Sequence, residues 1–270
     1  MTEVYWLEQN AVDLPAKDDW LSAGETLRLN GMRFAKRRSD WRLGRWTAKR
    51  AVAAFLNVPD YAASLASIEI RAALCAAPEV FITSKPAAVT ISLSHRAARA
   101  FCAIAMPGVT LGCDLEIVEP HSDAFLADYF TREEQLLVAQ ASDAERSPLL
   151  ALLWSGKESA LKALRSGLRL DTRCVVVTPS NAPQRRGGPE ELGSALHDWP
   201  SYGLNSWSPL KVNHVDNQVF QGWWQQRGDF VRTVVATPPP SSPIALAIPT
   251  CFPSSASPSS EGKNYLTVST

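Results

Sequence analysis

Residues 109–117 read VTLGCDLEI. Val109, Leu111, Cys113, Leu115 and Ile117 alternate with Thr110, Gly112, Asp114 and Glu116, the period of a strand with one buried face. Asp114 and Glu116 therefore project to the same side, their Cα atoms roughly 7 Å apart. Two carboxylates so placed repel each other unless a cation lies between them or solvent screens them. A solvent-facing polar edge, common in half-exposed sheets, accounts for the pair as readily as a metal site does. Gly112 favours a site, because a residue without a side chain lets a ligand approach the backbone.

Two further strands precede this one. Val89, Ile91 and Leu93 alternate with Thr90, Ser92 and Ser94, and Ala100–Met106 is a second apolar run. His95 falls at the tip of the first, where a side chain meets either a ligand or only water. Downstream, residues 154–164 read WSGKESALKAL. Ser147 followed by Pro148 marks a helix start, and Gly167 a stop. Leu149, Leu150, Leu153, Trp154, Leu161 and Leu164 supply its buried stripe, while Ser155, Glu158, Lys162 and Arg165 share a polar face. A surface ion pair between Glu158 and Lys162 is the plainer account. The sharper one joins helix and strand. Asp114, Glu116 and Glu158 give three hard oxygen ligands suited to Mg²⁺, with Lys162 one turn away to neutralise a phosphate oxygen. Those parts describe phosphoryl-type transfer.

A shorter helix is predicted from the Thr131–Glu134 capping box towards Gln140. Residues 37–59, RRSDWRLGRWTAKRAVAAFLNVP, read as another, ended by Pro59. Arg38, Arg42, Arg45 and Lys49 lie along one of its faces. Eight cationic side chains between Arg33 and Arg50 accompany one acid, Asp40. They form either an ordinary solvated face or a clamp for a polyanion. CVVVT (174–178) and FQGWWQQRGDFVRTVVAT (220–237) read as strands, the last two joined at RGD. Of the adjacent Trp223 and Trp224, at least one belongs to the core.

Composition limits the classes. Net charge is zero over 270 residues, with 46% apolar and 20% charged side chains. Nothing in that balance calls for nucleic acid or a membrane surface. The N-terminus lacks the basic and apolar regions of a signal peptide, and no run approaches a membrane span. Five scattered cysteines without CxxC spacing fit neither a disulfide framework nor a zinc site, which suggests a reducing cytoplasm. Proline and serine dominate from Pro238, so 238–270 is expected to be a disordered tail, and 178–206 contains a long loop.

The quoted stretches together resemble the Sfp-type 4′-phosphopantetheinyl transferase family. GCDLE (112–116) is similar to its G-[IV]-D-[IV]-E motif, and WSGKESALKAL to its W-[ST]-x-K-E-[AS]-x-x-K helix. ISLSH (91–95) resembles the F-[NS]-[IL]-S-H stretch before them, and the order agrees across residues 33–175. The resemblance implies transfer of the phosphopantetheine arm of coenzyme A (CoA) to a serine of an apo acyl, peptidyl or aryl carrier protein, releasing adenosine 3′,5′-bisphosphate. It implies Mg²⁺, or Mn²⁺, on Asp114, Glu116 and Glu158, with Glu158 as the base and Lys162 at the leaving phosphate. By the same carry-over Arg38, Arg45, Lys49, Lys85, Ser94, His95, Lys157 and Lys162 bind CoA, with Lys85 and His95 on its 3′-phosphate. The implied fold is α/β: two similar halves, 1–106 and 107–237, related by a pseudo-twofold axis with CoA between them. Such a pseudodimer has little need of a second subunit, so a monomer is expected.

Two other functions fit parts of the pattern: a Mg²⁺-dependent hydrolase of CoA-like pyrophosphates, and a catalytically silent binder of carrier proteins. The full set Asp114, Glu116, Glu158 and Lys162 argues against the silent binder, which has no physical need of it. The sequence also departs from the family. Arg96 follows His95 where Ser or Thr is usual, Leu115 replaces a β-branched residue, and Gly156 costs about 1 kcal/mol inside a helix for no visible reason.

Overall fold

A computed structural model describes residues 1–179 and 206–248. In chain order come β1 (Val4–Asn10), α1 (Ala23–Asn30), α2 (Ala35–Phe55), α3 (Ala62–Ser67), β2 (Ile68–Ala72), β3 (Pro78–Ile82), β4 (Lys85–Pro86), β5 (Thr90–Arg96), β6 (Arg99–Ala105) and β7 (Thr110–Ile117). Then follow α4 (Asp123–Tyr129), α5 (Arg132–Gln140), α6 (Asp143–Ala163), β8 (Val175–Pro179), β9 (Ser208–His214), β10 (Val219–Arg227), β11 (Phe230–Thr237) and β12 (Ile244–Ala245). Most of the loop expected at 178–206, and the tail from 249 on, lie outside the described residues.

Alternation along β7 explains the layering. Leu111, Cys113 and Leu115 pack with Val4, Phe101 and Ala103 in one buried cluster, which is the seam between two sheets. The first sheet runs β12-β1-β6-β5 and the second β7-β11-β10-β9-β8. Helix α2 covers the outer face of the first through Trp46 and Val52, packed with Ile91 and Ile104. Helix α6 covers the second through Leu153 and Leu161, packed with Val177 and Val231. The result is a mixed α/β fold of four layers, helix, sheet, sheet and helix. Glu8 of β1 crosses the seam to the buried Arg232 of β11.

Two glycines set how closely α6 approaches. A Cβ on Gly112 would stand 1.8 Å from the Ser159 carbonyl oxygen, and one on Gly156 would stand 2.8 Å from Val177 Cγ1. Gly112 therefore admits the helix, not a ligand, and Gly156 gains the reason that the sequence alone did not supply. The helix also begins before the Ser147–Pro148 signal. Ser142 is its N-cap, Glu145 completes a capping box, and Pro148 lies inside. It ends where Arg165 takes the left-handed conformation, φ 55°, ahead of Gly167.

One polar device occurs twice. Ser22 caps α1, and Glu25 closes that capping box. The Glu25 carboxylate also pairs with Lys49 of α2 at 2.5 Å and accepts the Ile70 N–H of β2 at 3.1 Å. Thr131 and Glu134 form the corresponding box on α5. Glu134 pairs with Lys157 of α6 at 2.7 Å and accepts the Val177 N–H of β8 at 2.9 Å. Each ammonium donates to two carbonyls, those of Trp20 and Leu65 for Lys49 and of Thr172 and Val175 for Lys157. Each also faces an aromatic ring, Trp20 at 5.6 Å and Phe130 at 5.5 Å.

The segment 238–248 corrects the expectation of a tail disordered from its start. Pro240 bridges to Thr2, β12 lies parallel to β1, and the Leu246 N–H donates to the Trp6 carbonyl. Leu246 and Ile248 pack on the first core. The apolar run IALAI (244–248) finds a strand edge to cover, which the surrounding prolines and serines obscured. Trp223 Nε1 donates to the Pro240 carbonyl, while Trp224 is buried in the second core.

Candidate active site

Because Leu111, Cys113 and Leu115 face the seam, Gly112, Asp114 and Glu116 face α6. Asp114 is 2% exposed. Its Oδ1 accepts from Lys162 Nζ at 2.6 Å and from Ser94 Oγ at 2.7 Å. Lys162 Nζ also donates to the Cys113 carbonyl at 3.1 Å, and the Cys113 N–H donates to Ser92 Oγ. These bonds lock the end of α6 and strand β5 onto β7. The second oxygen of Asp114, Oδ2, is buried without a hydrogen-bond partner among the described residues. An ionised oxygen left so is costly unless a cation reaches it.

The neighbouring groups are tuned by burial and by one another. Burial, then the Asp114 charge, pushes Glu116 up to about 7. Glu158 is raised for the same two reasons, and it has no hydrogen-bond or ion-pair partner among the described residues. Burial opposes the charge of Lys162, yet Asp114, Cys113 and Glu158 hold its pKa above the ordinary lysine value. Glu116 is drawn to Arg96, 3.4 Å away, and Asp114 to Lys162. Among the described residues no three metal-ligating side chains already converge on one point. The orphaned Asp114 oxygen, the strained charges of Glu116 and Glu158 and the all-oxygen donor set nevertheless fit a hard divalent cation.

The basic helix is used differently from the expectation. Lys49 and Lys157 are both 0% exposed and bound to Glu25 and Glu134, so neither offers its charge to the surface. Arg38 donates to the carbonyls of Leu29 and Met32 at the end of α1. Arg45 lies over the Trp41 ring at 4.9 Å and 3.7 Å from Glu25, and burial lowers its pKa to about 10. Ser94 is committed to Asp114. Four cations on one face thus turn inward, because Asp18 and Glu25 supply partners there for Arg42, Arg45 and Lys49.

His95 does meet an open hollow of about 580 Å³, lined also by Phe34, Lys36, Arg37, Asp40 and Trp41. Lys85, on the exposed strand β4, is not among the residues lining it. Lys36 and Arg37 were missed by the four–three–four spacing. Their position in the first turn of α2, off the periodic face, was the available signal. A second cavity of about 460 Å³ adjoins Lys162 and is lined by Cys75, Pro78, Leu93, Leu111 and Leu164 among others.

Fold and cluster define a mixed α/β protein whose carboxylates and lysine gather where the five-stranded sheet meets its covering helix. Residues 110–212, 103 of the chain's 270, match the sequence model of the 4′-phosphopantetheinyl transferase superfamily. The match runs from the start of β7 into β9 and includes Asp114, Glu116, Glu158 and Lys162. No curated protein matches the chain. Among the described residues no helix is long and apolar enough to cross a membrane.

Proposed function

We propose that the protein transfers the 4′-phosphopantetheine arm of CoA to a serine of an apo acyl, peptidyl or aryl carrier protein. The observation that carries this reading is the buried, unpartnered Asp114 Oδ2 beside Lys162, within the stretch that matches the superfamily. Asp114, Glu116 and Glu158 would hold Mg²⁺ or Mn²⁺, which when bound offsets the charge of the CoA pyrophosphate.

The chain's own groups supply the rest. Glu158, raised in pKa and uncommitted, accepts the serine proton as the serine oxygen bonds to the phosphorus of the arm. The bond from that phosphorus to the bridging oxygen breaks, and adenosine 3′,5′-bisphosphate leaves. Its new phosphate charge faces Lys162, which its anionic neighbours keep protonated. The cavity beside Lys162 has the size of a small-ligand site and is where we place the arm. Lys36, Arg37 and His95 at the open hollow suit a terminal phosphate of CoA.

Glu158→Gln tests the assignment. Transfer is expected to fall by about 100-fold or more, with CoA affinity kept within about threefold. Near-normal transfer by that variant would overturn the role of Glu158.

A further inference from the structure

Arg96 ends β5, next to His95, and meets the carboxylates at the end of β7. Its Nε stands 3.4 Å from Glu116, and its Nη2 pairs with Glu119. Arg96 is the single ion-pair partner of Glu116 among the described residues, and Glu116 has no hydrogen bond there. The turn after it, Ala97–Ala98, has φ of 46° and 59°, the two-residue hairpin turn that fixes strand register. That register sets Arg96 opposite Arg99, which turns instead to Glu8. Arg96 is therefore held at one place on the rim of the carboxylate cluster.

We propose that Arg96 is an internal counter-cation for Glu116, which a divalent cation must displace, so that Arg96 sets the metal affinity of the site. The inference rests on the reading of Asp114, Glu116 and Glu158 as the metal-holding set. The two arms of the guanidinium make displacement easy. When Glu116 turns towards a metal, Arg96 keeps Glu119 and stays in solvent contact, its side chain being 44% exposed. Before that it neutralises Glu116, whose charge burial and Asp114 both oppose. Afterwards its positive charge repels the bound ion across a partly solvated gap. Lys162 is different in kind. It is tied to both Asp114 and a backbone carbonyl, and it belongs to the reacting machinery. Arg96 acts through Glu116 and is a positioning residue.

The test is Mn²⁺ binding to the full-length chain without CoA, read from the electron paramagnetic resonance signal of free Mn²⁺. Arg96→Ser is expected to tighten Mn²⁺ about five- to tenfold, the combined loss of one partly exposed ion pair and one repulsion. Arg96→Lys keeps the charge and should return most of the way to the parent affinity. The Arg96→Ser/Glu116→Gln double variant should lose the gain. Equal or weaker binding by Arg96→Ser, with Asp114→Asn abolishing binding, would overturn the role of Arg96 and leave the metal reading standing. Binding that Asp114→Asn does not weaken would overturn both. Unchanged thermal unfolding of Arg96→Ser, expected for an exposed side chain, shows that any shift comes from the site.

Discussion

Lys157 lies 2.7 Å from Glu134 with both side chains shut from solvent, the counterpart of the Lys49–Glu25 pair between α2 and α1. The lysine that the WxxKExxxK pattern places beside Glu158 thus points away from the site, into a junction of α5, α6 and β8. By holding the middle of α6 it fixes the rotation that presents Glu158 and Lys162 to β7.

Removing one partner should show this. Glu134→Gln leaves a buried ammonium with only carbonyls and is expected to cost about 3–5 kcal/mol in urea unfolding. The apolar double variant Glu134→Leu/Lys157→Met should recover much of that loss. A single-variant cost under about 1 kcal/mol would contradict a structural pair.

Gly112→Ala drives a methyl group into the backbone of α6. We expect a stability loss of at least about 1–3 kcal/mol and, because Glu158 and Lys162 move with the helix, a larger loss of transfer than of CoA affinity. Gly156→Ala meets side chains rather than backbone, the Val177 methyl groups most closely, and better helix propensity offsets part of its cost. Adding Val177→Ala should then restore stability, as melting curves of both variants would show. Failure of that rescue would place the clash elsewhere.

The strands beside the site were legible where a period of two or an apolar run left its mark. Thr90–Arg96 and Thr110–Ile117 fall where the alternation puts them and Arg99–Ala105 where the apolar run does, whereas β1, β2, β3 and β9 carried no such signal. The cations of α2 were not legible in the same way. A face of arginines and lysines looks alike whether it meets water or a ligand, and only the fold shows that Asp18 and Glu25 approach it. Gly156 and residues 244–248 were opaque for a related reason, since their partners, Val177 and β1, are distant in sequence.

The cations of α2 divide by place: Lys36 and Arg37 line the open hollow, while Lys49 is buried against Glu25. Lys36→Ala with Arg37→Ala should weaken CoA binding by about five- to tenfold, the loss of charge-assisted contacts, with little change in melting temperature. Lys49→Met should lower stability and leave CoA affinity near the parent value in the fraction that folds. Calorimetric titration with CoA separates the two, and the reverse pattern would return Lys49 to the binding site.

The packed segment after Thr237 gives a smaller effect. Leu246→Ser removes apolar contact with the first core and is expected to cost about 1 kcal/mol. For a chain of this size that lowers the melting temperature by about 2–4 °C. No shift would mean that the segment adds nothing to the fold.

The account turns on transfer to a carrier. Intact-protein mass spectrometry of apo acyl, peptidyl and aryl carrier proteins, incubated with CoA, Mg²⁺ and this protein, reads it directly. The predicted result is a mass gain of one phosphopantetheine arm on at least one carrier, abolished by a chelator and by Glu158→Gln. CoA consumed with no carrier gaining mass would contradict transfer and identify a hydrolase of the CoA pyrophosphate.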